Sequence, residues 1–144
     1  MVELGPADRA LVVGAPDLFD APPTEAFTDH FLTAPGHHLL MALRGDTAIG
    51  FVTGVETTHP DKGTEMFLYE LSVGEDDRRQ GTGTALVRAL ARVAVDRGCN
   101  GMWVGTEPDN EAAIATYRAA GAQLPEPCVT LTWTFPDLGL SGGG

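Results

Sequence analysis

No apolar run in this sequence approaches the roughly 20 residues that a membrane-spanning helix requires. The opening Met1-Val2-Glu3-Leu4 carries no basic, apolar leader, so a cytoplasmic location is the expectation. Cysteine is scarce. Cys99 and Cys128 have neither metal nor redox spacing, and among their apolar neighbours they read as small core residues. His37, His38 and His59 lack ligand spacing, so no metal is expected. Positive charge is also short, nine Lys and Arg against 20 Asp and Glu, a net charge of −11. Nucleic acid or an anionic membrane would call for a basic face, so both are excluded as partners, whereas a cationic small molecule or basic peptide fits. Hydrophobic content of 43% is that of an ordinary globular protein with a proper core. One domain over residues 1–138 is expected. Residues 139–144, ending Ser141-Gly142-Gly143-Gly144, read as a flexible tail.

What basic charge there is clusters. Arg78, Arg79, Arg88, Arg92 and Arg97 are five of the nine basic residues, while acids spread over the rest. The chain is organised around Leu68-Tyr69-Glu70-Leu71-Ser72-Val73, a polar turn, and then Arg78-Arg79-Gln80-Gly81-Thr82-Gly83-Thr84-Ala85-Leu86. This reads as a strand, a glycine-containing loop and a helix start. The first N–H groups of a helix lack intrahelical partners, and the helix dipole adds partial positive charge there. With Gly81 and Gly83 free of Cβ and two arginines alongside, residues 79–84 form a candidate pyrophosphate cradle. No Gly-Lys-Ser/Thr ending marks a Walker loop, and Leu86 stands where a Rossmann fingerprint wants its third glycine.

Around this stretch the pattern predicts α/β architecture with a mixed sheet. Residues 2–4 suit an edge strand, and Pro6-Ala7-Asp8 opens a short helix with Leu11 and Val12. Residues 14–23 hold three prolines and read as an irregular loop, a candidate substrate wall. Thr24 caps a helix whose stripe is Ala26, Phe27, His30 and Phe31, ending at Pro35-Gly36. Strands over 38–43 and 47–55 join through Arg44-Gly45-Asp46, with Ile49, Phe51 and Val55 on one side of the second. Residues 56–64 read as a polar loop before a third antiparallel strand, 65–73. Leu86, Leu90 and Val93 give the following helix its apolar face, and Gly98 ends it. A parallel strand spans 101–105, a helix begins near Pro108-Asp109-Asn110-Glu111, and a last strand covers Val129–Phe135.

Three stretches carry a family likeness. Arg78 to Leu86 resembles the acyl-coenzyme A loop (Arg/Gln-x-x-Gly-x-Gly/Ala) of the GNAT superfamily of N-acetyltransferases, and Asn110 to Ala122 resembles its Asn-x-x-Ala-x-x-x-Tyr-x-x-x-Gly signature. Residues 64–73, Thr-Glu-Met-Phe-Leu-Tyr-Glu-Leu-Ser-Val, look like a strand of the aminoglycoside 3-N-acetyltransferase branch, with Glu70 where that branch usually has Asp. The resemblance implies a mixed, mostly antiparallel sheet flanked by helices, acetyl-coenzyme A as co-substrate, no metal, a role in antibiotic resistance, and a possible homodimer. It further implies that the strand splays at Leu71-Ser72-Val73 to receive the cofactor, beside a loop of Arg78, Arg79, Gln80, Gly81, Thr82, Gly83 and Thr84. Asn110 would bind the pantetheine arm. Glu70 would hold the substrate ammonium and accept its proton, the Leu71 N–H would polarise the acetyl carbonyl, and Tyr117 would protonate the departing thiolate. Asp17, Asp20, Glu65, Glu107 and Asp109 are the candidate substrate carboxylates. Polyamines and basic peptides satisfy the same charge logic as aminoglycosides. A non-catalytic acyl-coenzyme A sensor and an acidic partner-binding domain are the competing readings. The presence of both Glu70 and Tyr117 argues against the sensor.

Overall fold

The computed structural model describes residues 1–135, so the expected tail at 139–144 lies outside the described residues. Five strands form one sheet in chain order: β1 (Val2–Glu3), β2 (His37–Arg44), β3 (Thr47–His59), β4 (Gly63–Val73) and β5 (Met102–Trp103). The first three pairings are antiparallel, and β5 joins β4 in parallel. Four α-helices accompany them: α1 (Arg9–Val13), α2 (Glu25–Thr33), α3 (Thr82–Asp96) and α4 (Glu111–Ala119). This is the mixed, mostly antiparallel α/β sheet that the sequence pattern implies.

Two cores lie on opposite faces of the sheet. On one, Leu40, Ala42, Val52, Met66 and Leu68 meet Leu86, Val87, Leu90 and Ala94 of α3. On the other, Leu39, Met41 and Phe51 meet Leu4 and Val12, with Leu11, Phe31 and Leu32 packed alongside. Strand β2 is therefore covered on both sides, which is why Leu39-Leu40-Met41-Ala42 is an unbroken apolar run. Fully buried side chains of this size contribute about 1.5–3 kcal/mol each, so α3 is the element the sheet depends on most. Two glycines of β3 set its distance. A Cβ at Gly54 would stand 2.8 Å from Leu90 Cδ1, and one at Gly50 would stand 3.2 Å from Leu86 Cδ1.

Several expectations need correction. Strands β3 and β4 run on through residues 56–59 and 63–64, so the polar segment is a two-stranded ribbon with a turn at 60–62. Its β-branched Thr57, Thr58 and Thr64 suit a solvated ladder. Ile49 does not share a face with Phe51. The β2–β3 register slips between Ala42 and Leu43, leaving Ile49 unpaired on the α3 side. In α2, Phe27 is 74% exposed and Thr28, Phe31 and Leu32 point inward instead. Cys128 is exposed rather than in a core, while Cys99 is half-buried. Val129–Phe135 pairs with no strand and is exposed throughout. No helix among the described residues is long and apolar enough to cross a membrane.

Candidate active site

Strand β5 matches only the first part of β4, at Met66–Met102 and Phe67–Trp103. Beyond Leu68 the outer edge of β4 is bare, and the two strands splay apart. Into this gap open the end of β4, the start of α3 and the start of α4. Together they line a cleft of about 1070 Å3 containing Asp20, Tyr69, Glu70, Leu71, Ser72, Val73 and Asp77 from one side. Arg78, Arg79, Gly81, Thr82, Gly83, Thr84, Thr106, Asn110, Thr116 and Tyr117 line it from the other.

A β-bulge decides which way Glu70 faces. Thr53 pairs with Glu70 and Gly54 with Leu68, so Tyr69 is the extra residue on β4. Met66 and Leu68 point into the α3 core, and strict alternation would send residue 70 the same way. Past the bulge it is Leu71 and Val73 that pack against that core. Glu70 is thereby turned to the opposite face, where its carboxylate opens to the cleft instead of entering apolar packing. Tyr69, 65% exposed, and Glu70 therefore stand outside the core, with the Glu70 carboxylate half-shielded at the cleft wall.

The same geometry orients the backbone. The Glu70 N–H donates to Thr53 Oγ1 at 3.1 Å, and the Gly74 N–H donates to the Ile49 carbonyl at 2.8 Å. Successive N–H groups of a strand alternate sides. Those of Leu71 and Val73 therefore face the bare edge, where they have no strand to pair with.

The loop before α3 is held from behind. Asp77 is buried, its carboxylate paired with Arg44, and its N–H is on the Gly74 carbonyl. Arg78 Nε donates to the Val73 carbonyl at 3.2 Å. Arg79 then takes φ +64°, the left-handed region that a non-glycine residue seldom adopts, and Gly81 takes φ +80°. Gly81 is the N-cap of α3 and has no side chain to accept the helix's first N–H groups, so they remain available to an anion. Gly83 lines the cleft and has a packing use besides. A Cβ there would stand 3.3 Å from Thr116 Cγ2 and 3.7 Å from Val73 Cγ2, so its lack of one lets α3 press against α4 and β4.

On the far wall, Asn110 caps α4, its Oδ1 accepting the Ala113 N–H at 3.1 Å. With the oxygen committed, the amide NH2 is what Asn110 can offer the cleft, and it can only donate. One helix turn and more along, Tyr117 is half-buried beside the α3 core, and burial raises its hydroxyl above the ordinary tyrosine value. Glu70 is also raised, first by loss of solvent and then by the neighbouring charge of Asp20. The cleft thus pairs a carboxylate that holds a proton more readily than usual with a phenol that keeps its own at neutral pH.

The remaining residues expected from the sequence lie elsewhere. Asp17 lines an adjoining recess of about 780 Å3 with Asp46, Glu75 and Asp76. Glu65 faces Thr57 across the ribbon, with His59 Nε2 at 3.7 Å. Glu107 and Asp109 are exposed on the approach to α4, and Gln80 is exposed in the loop. None of these five lines the cleft. Sequence reasoning missed Thr53 and Asp77, which hold the site without lying in a motif. A signal for the bulge existed: core residues fall on even positions at 66 and 68, then on odd ones at 71 and 73.

Bare strand edge, uncapped helix start and donor-only amide together fit a long ligand with a pyrophosphate and amides, as acetyl-coenzyme A has. Among the described residues no group of side chains could hold a metal ion.

Comparison with known proteins bears on the family and the fold. The acetyltransferase (GNAT) family profile matches residues 9–122. An L-2,4-diaminobutyric acid acetyltransferase of Nocardia farcinica is 32% identical over 107 residues, 72% of this chain and 54% of that protein. A thialysine N-epsilon-acetyltransferase of Bos taurus is 28% identical over 66% of this chain and 61% of its own length. The chain therefore spans little more than half of these relatives. Among solved structures, an aminoglycoside acetyltransferase from an uncultured soil metagenomic sample, in complex with sisomicin, superposes with a TM-score of 0.86. It is 18% identical, with 94% of this chain and 95% of that one covered. The aminoglycoside N-acetyltransferase AAC(6')-Iy, bound to a bisubstrate analogue of coenzyme A, gives 0.79 at 20% identity over 93% and 97% of the two chains. At these identities the likeness is one of fold.

Proposed function

The chain belongs to the acetyltransferase (GNAT) family, and from that premise we propose that it transfers an acetyl group from acetyl-coenzyme A to a primary amine of a cationic small molecule. The observation that carries this is the bulge at Tyr69, which puts Glu70 in the cleft while the Leu71 N–H faces the bare edge. Bound acetyl-coenzyme A supplies a thioester carbonyl as electrophile and a thiolate as leaving group. The chain does the rest. Residues 79–84 and Asn110 fix the long ligand, and the Leu71 N–H donates to the carbonyl oxygen as its charge grows. Glu70 holds the acceptor ammonium and removes its proton, directly or through water, so that the free amine attacks. As the C–N bond forms and the C–S bond breaks, the Tyr117 hydroxyl gives its proton to the sulfur, and the nitrogen's second proton passes through water to the tyrosinate, leaving the neutral amide and restoring the phenol.

For the acceptor we propose an aminoglycoside, acetylated at its 3-amino group. Asp20 and Glu70 line the acceptor side of the cleft with two carboxylates, which suits a molecule carrying several ammonium groups, and Asp17 lies in the adjoining recess. A small diamine or polyamine satisfies the same pair, and the names of the diaminobutyric acid and thialysine relatives favour it as the second reading. The test is thiol release from acetyl-coenzyme A with gentamicin-type aminoglycosides, diamino acids, polyamines and basic peptides, with the product amine located by NMR. Turnover confined to diamines keeps the reaction and replaces the acceptor. Thermal stabilisation by acetyl-coenzyme A without turnover on any amine leaves a sensor and overturns the proposal.

A further inference from the structure

Glu70 stands at one end of a longer surface on β4. Before the bulge, Met66 and Leu68 point into the α3 core, so Glu65 and Phe67 point to the other face of the sheet. Tyr69 joins them, its ring centroid 5.4 Å from that of Phe67, and Phe67 stacks on Trp103 of β5 at 4.2 Å. The bulge sets Glu70 on this face as well. Along the strand the row therefore runs carboxylate, ring, ring, carboxylate, with a third ring beside it. Helices α1 and α2 cover this face only over β2 and β3, and among the described residues none of the three rings belongs to either core. Trp103 is 50% exposed. An exposed apolar patch rimmed by polar groups marks a binding surface.

The surface is continuous with the cleft, because Tyr69 lines the cleft and also touches Phe67. Its rim is acidic at both ends. Asp20 stands with Glu70 at the near end. At the far end the Glu65 side chain is 31% exposed, and its nearest partner, His59 Nε2 at 3.7 Å, is beyond hydrogen-bond reach. Among the described residues neither Glu65 nor Glu70 meets a lysine or arginine. Glu70 pairs with Thr53 and Glu65 with Thr57. At about 3.4 Å per residue of β3, the two glutamates lie roughly 14 Å apart along the sheet.

Resting on the acetyl-transfer reading of the cleft, we propose that this row is where the acceptor's body lies, and that the acceptor is an extended oligoamine. Its reacting amine sits at Glu70, its apolar body crosses Tyr69, Phe67 and Trp103, and a far ammonium meets Glu65. Each part suits the chemistry. Aromatic rings offer large amphipathic contact area, and their faces attract a cation held within about 6 Å. The carboxylate at each end pairs with an ammonium, and the acidic rim repels any acceptor that carries a carboxylate of its own. The span then separates the two acceptor readings. A diamino acid holds its nitrogens only a few bonds apart, so it can meet Asp20 and Glu70 but does not reach Glu65. A multi-ring amino sugar or a tetraamine such as spermine has the length.

Trp103 supplies a probe that does not depend on turnover. The chain has two tryptophans, Trp103 and Trp133, so in the Trp133→Phe chain all tryptophan emission comes from the row. That chain, saturated with coenzyme A, is titrated with sisomicin, spermine and 2,4-diaminobutyric acid, and thiol release from acetyl-coenzyme A is measured in parallel. Sisomicin and spermine should change the Trp103 emission saturably, and diaminobutyric acid should leave it unchanged. Glu65→Gln should weaken binding of the two long amines about two- to fivefold, and Glu65→Lys about tenfold as repulsion replaces attraction. Trp103→Leu should raise their KM about two- to fivefold, more than it lowers kcat. A saturable, Glu65-dependent Trp103 response without turnover keeps this surface and overturns the acetyl transfer. Turnover of the long amines with Trp103 silent, affinity indifferent to Glu65→Lys, or an equal Trp103 response to diaminobutyric acid would each keep the transfer and overturn the surface.

Discussion

The Glu70 N–H donates to the Thr53 hydroxyl at 3.1 Å, and Thr53 is 3% exposed on the neighbouring strand. This bond seats the bulge that turns Glu70 outward and Leu71 N–H to the open edge. Thr53→Val keeps the shape but leaves that N–H without an acceptor, at a cost of about 1–2 kcal/mol. The expected fall in Tm is roughly 3–6 °C. Turnover should fall more than the KM for acetyl-coenzyme A rises, because the catalytic geometry loosens while the pyrophosphate cradle is untouched. Thr53→Ser should restore both. A Thr53→Val protein with normal turnover would separate the bulge from catalysis.

Glu70 is held above the ordinary carboxyl value by loss of solvent and by the charge of Asp20. As pH falls through that raised value the carboxylate takes a proton and cannot act as base. The acid limb of kcat against pH should therefore lie above the ordinary glutamate range. Asp20→Asn removes the like charge and should move the limb to lower pH. Glu70→Gln should lower turnover by about 100-fold or more with little change in KM for acetyl-coenzyme A. Its effect on stability has the opposite sign. A folded value above the unfolded one means stability present at low pH and lost as pH rises through the raised value, so at neutral pH the glutamine variant should be no less stable than the parent. A lower Tm for Glu70→Gln would contradict this.

Acid stability should instead rest on Glu56. Burial pushes its carboxyl up, but hydrogen bonds from His38 Nε2 at 2.7 Å and Arg97 Nε at 3.0 Å outweigh this and hold it below the ordinary value. Its side chain is 14% exposed, and His38 also meets Glu3 at 2.7 Å, so the network ties β1, β2 and β3 to the end of α3. A lowered value contributes stability that is present above the unfolded carboxyl range and lost as pH falls through the folded one. Glu56→Gln should thus melt below wild type at pH 7, with the gap closing as the buffer is taken below about pH 4. A gap that stays constant with pH would assign the loss to packing.

The sheet, α3 and the loop that precedes it were legible because each rests on local chemistry. Thr24, Asn110 and Gly98 are capping residues whose geometry follows from residue type, and each sits where expected. Arg79 could be singled out for the same reason, whereas Glu70, Asn110 and Tyr117 were marked by the family resemblance. What a local reading misses is register. The slips at Ile49 and Tyr69 each move a strand's faces by one residue, and they are fixed by partners distant in sequence. At Gly83 the packing use was hidden, because a missing Cβ looks the same in sequence whether a ligand or a helix approaches it. Val129–Phe135 has the propensity of a strand, but propensity supplies no partner, and among the described residues the segment joins no ladder.

Asn110 carries two functions in one side chain, and a substitution can separate them. Its oxygen caps α4, and in the proposed function its amide NH2 is the donor to the ligand, Asn110 being part of the cleft wall. Aspartate caps as well as asparagine and suits the positive end of a helix, so Asn110→Asp should keep its Tm. It replaces the donor with a charge, however, and the KM for acetyl-coenzyme A should rise about 5- to 12-fold, since one lost hydrogen bond is worth about 1–1.5 kcal/mol. Asn110→Ala loses both functions, with about 1 kcal/mol of stability gone as well as the affinity. Calorimetry of acetyl-coenzyme A binding alongside thermal melts would read the two effects apart. An Asn110→Asp protein that binds acetyl-coenzyme A as tightly as wild type would leave the residue a cap alone, and the amide contact would have to be sought at Thr106 or Thr116, which line the same wall.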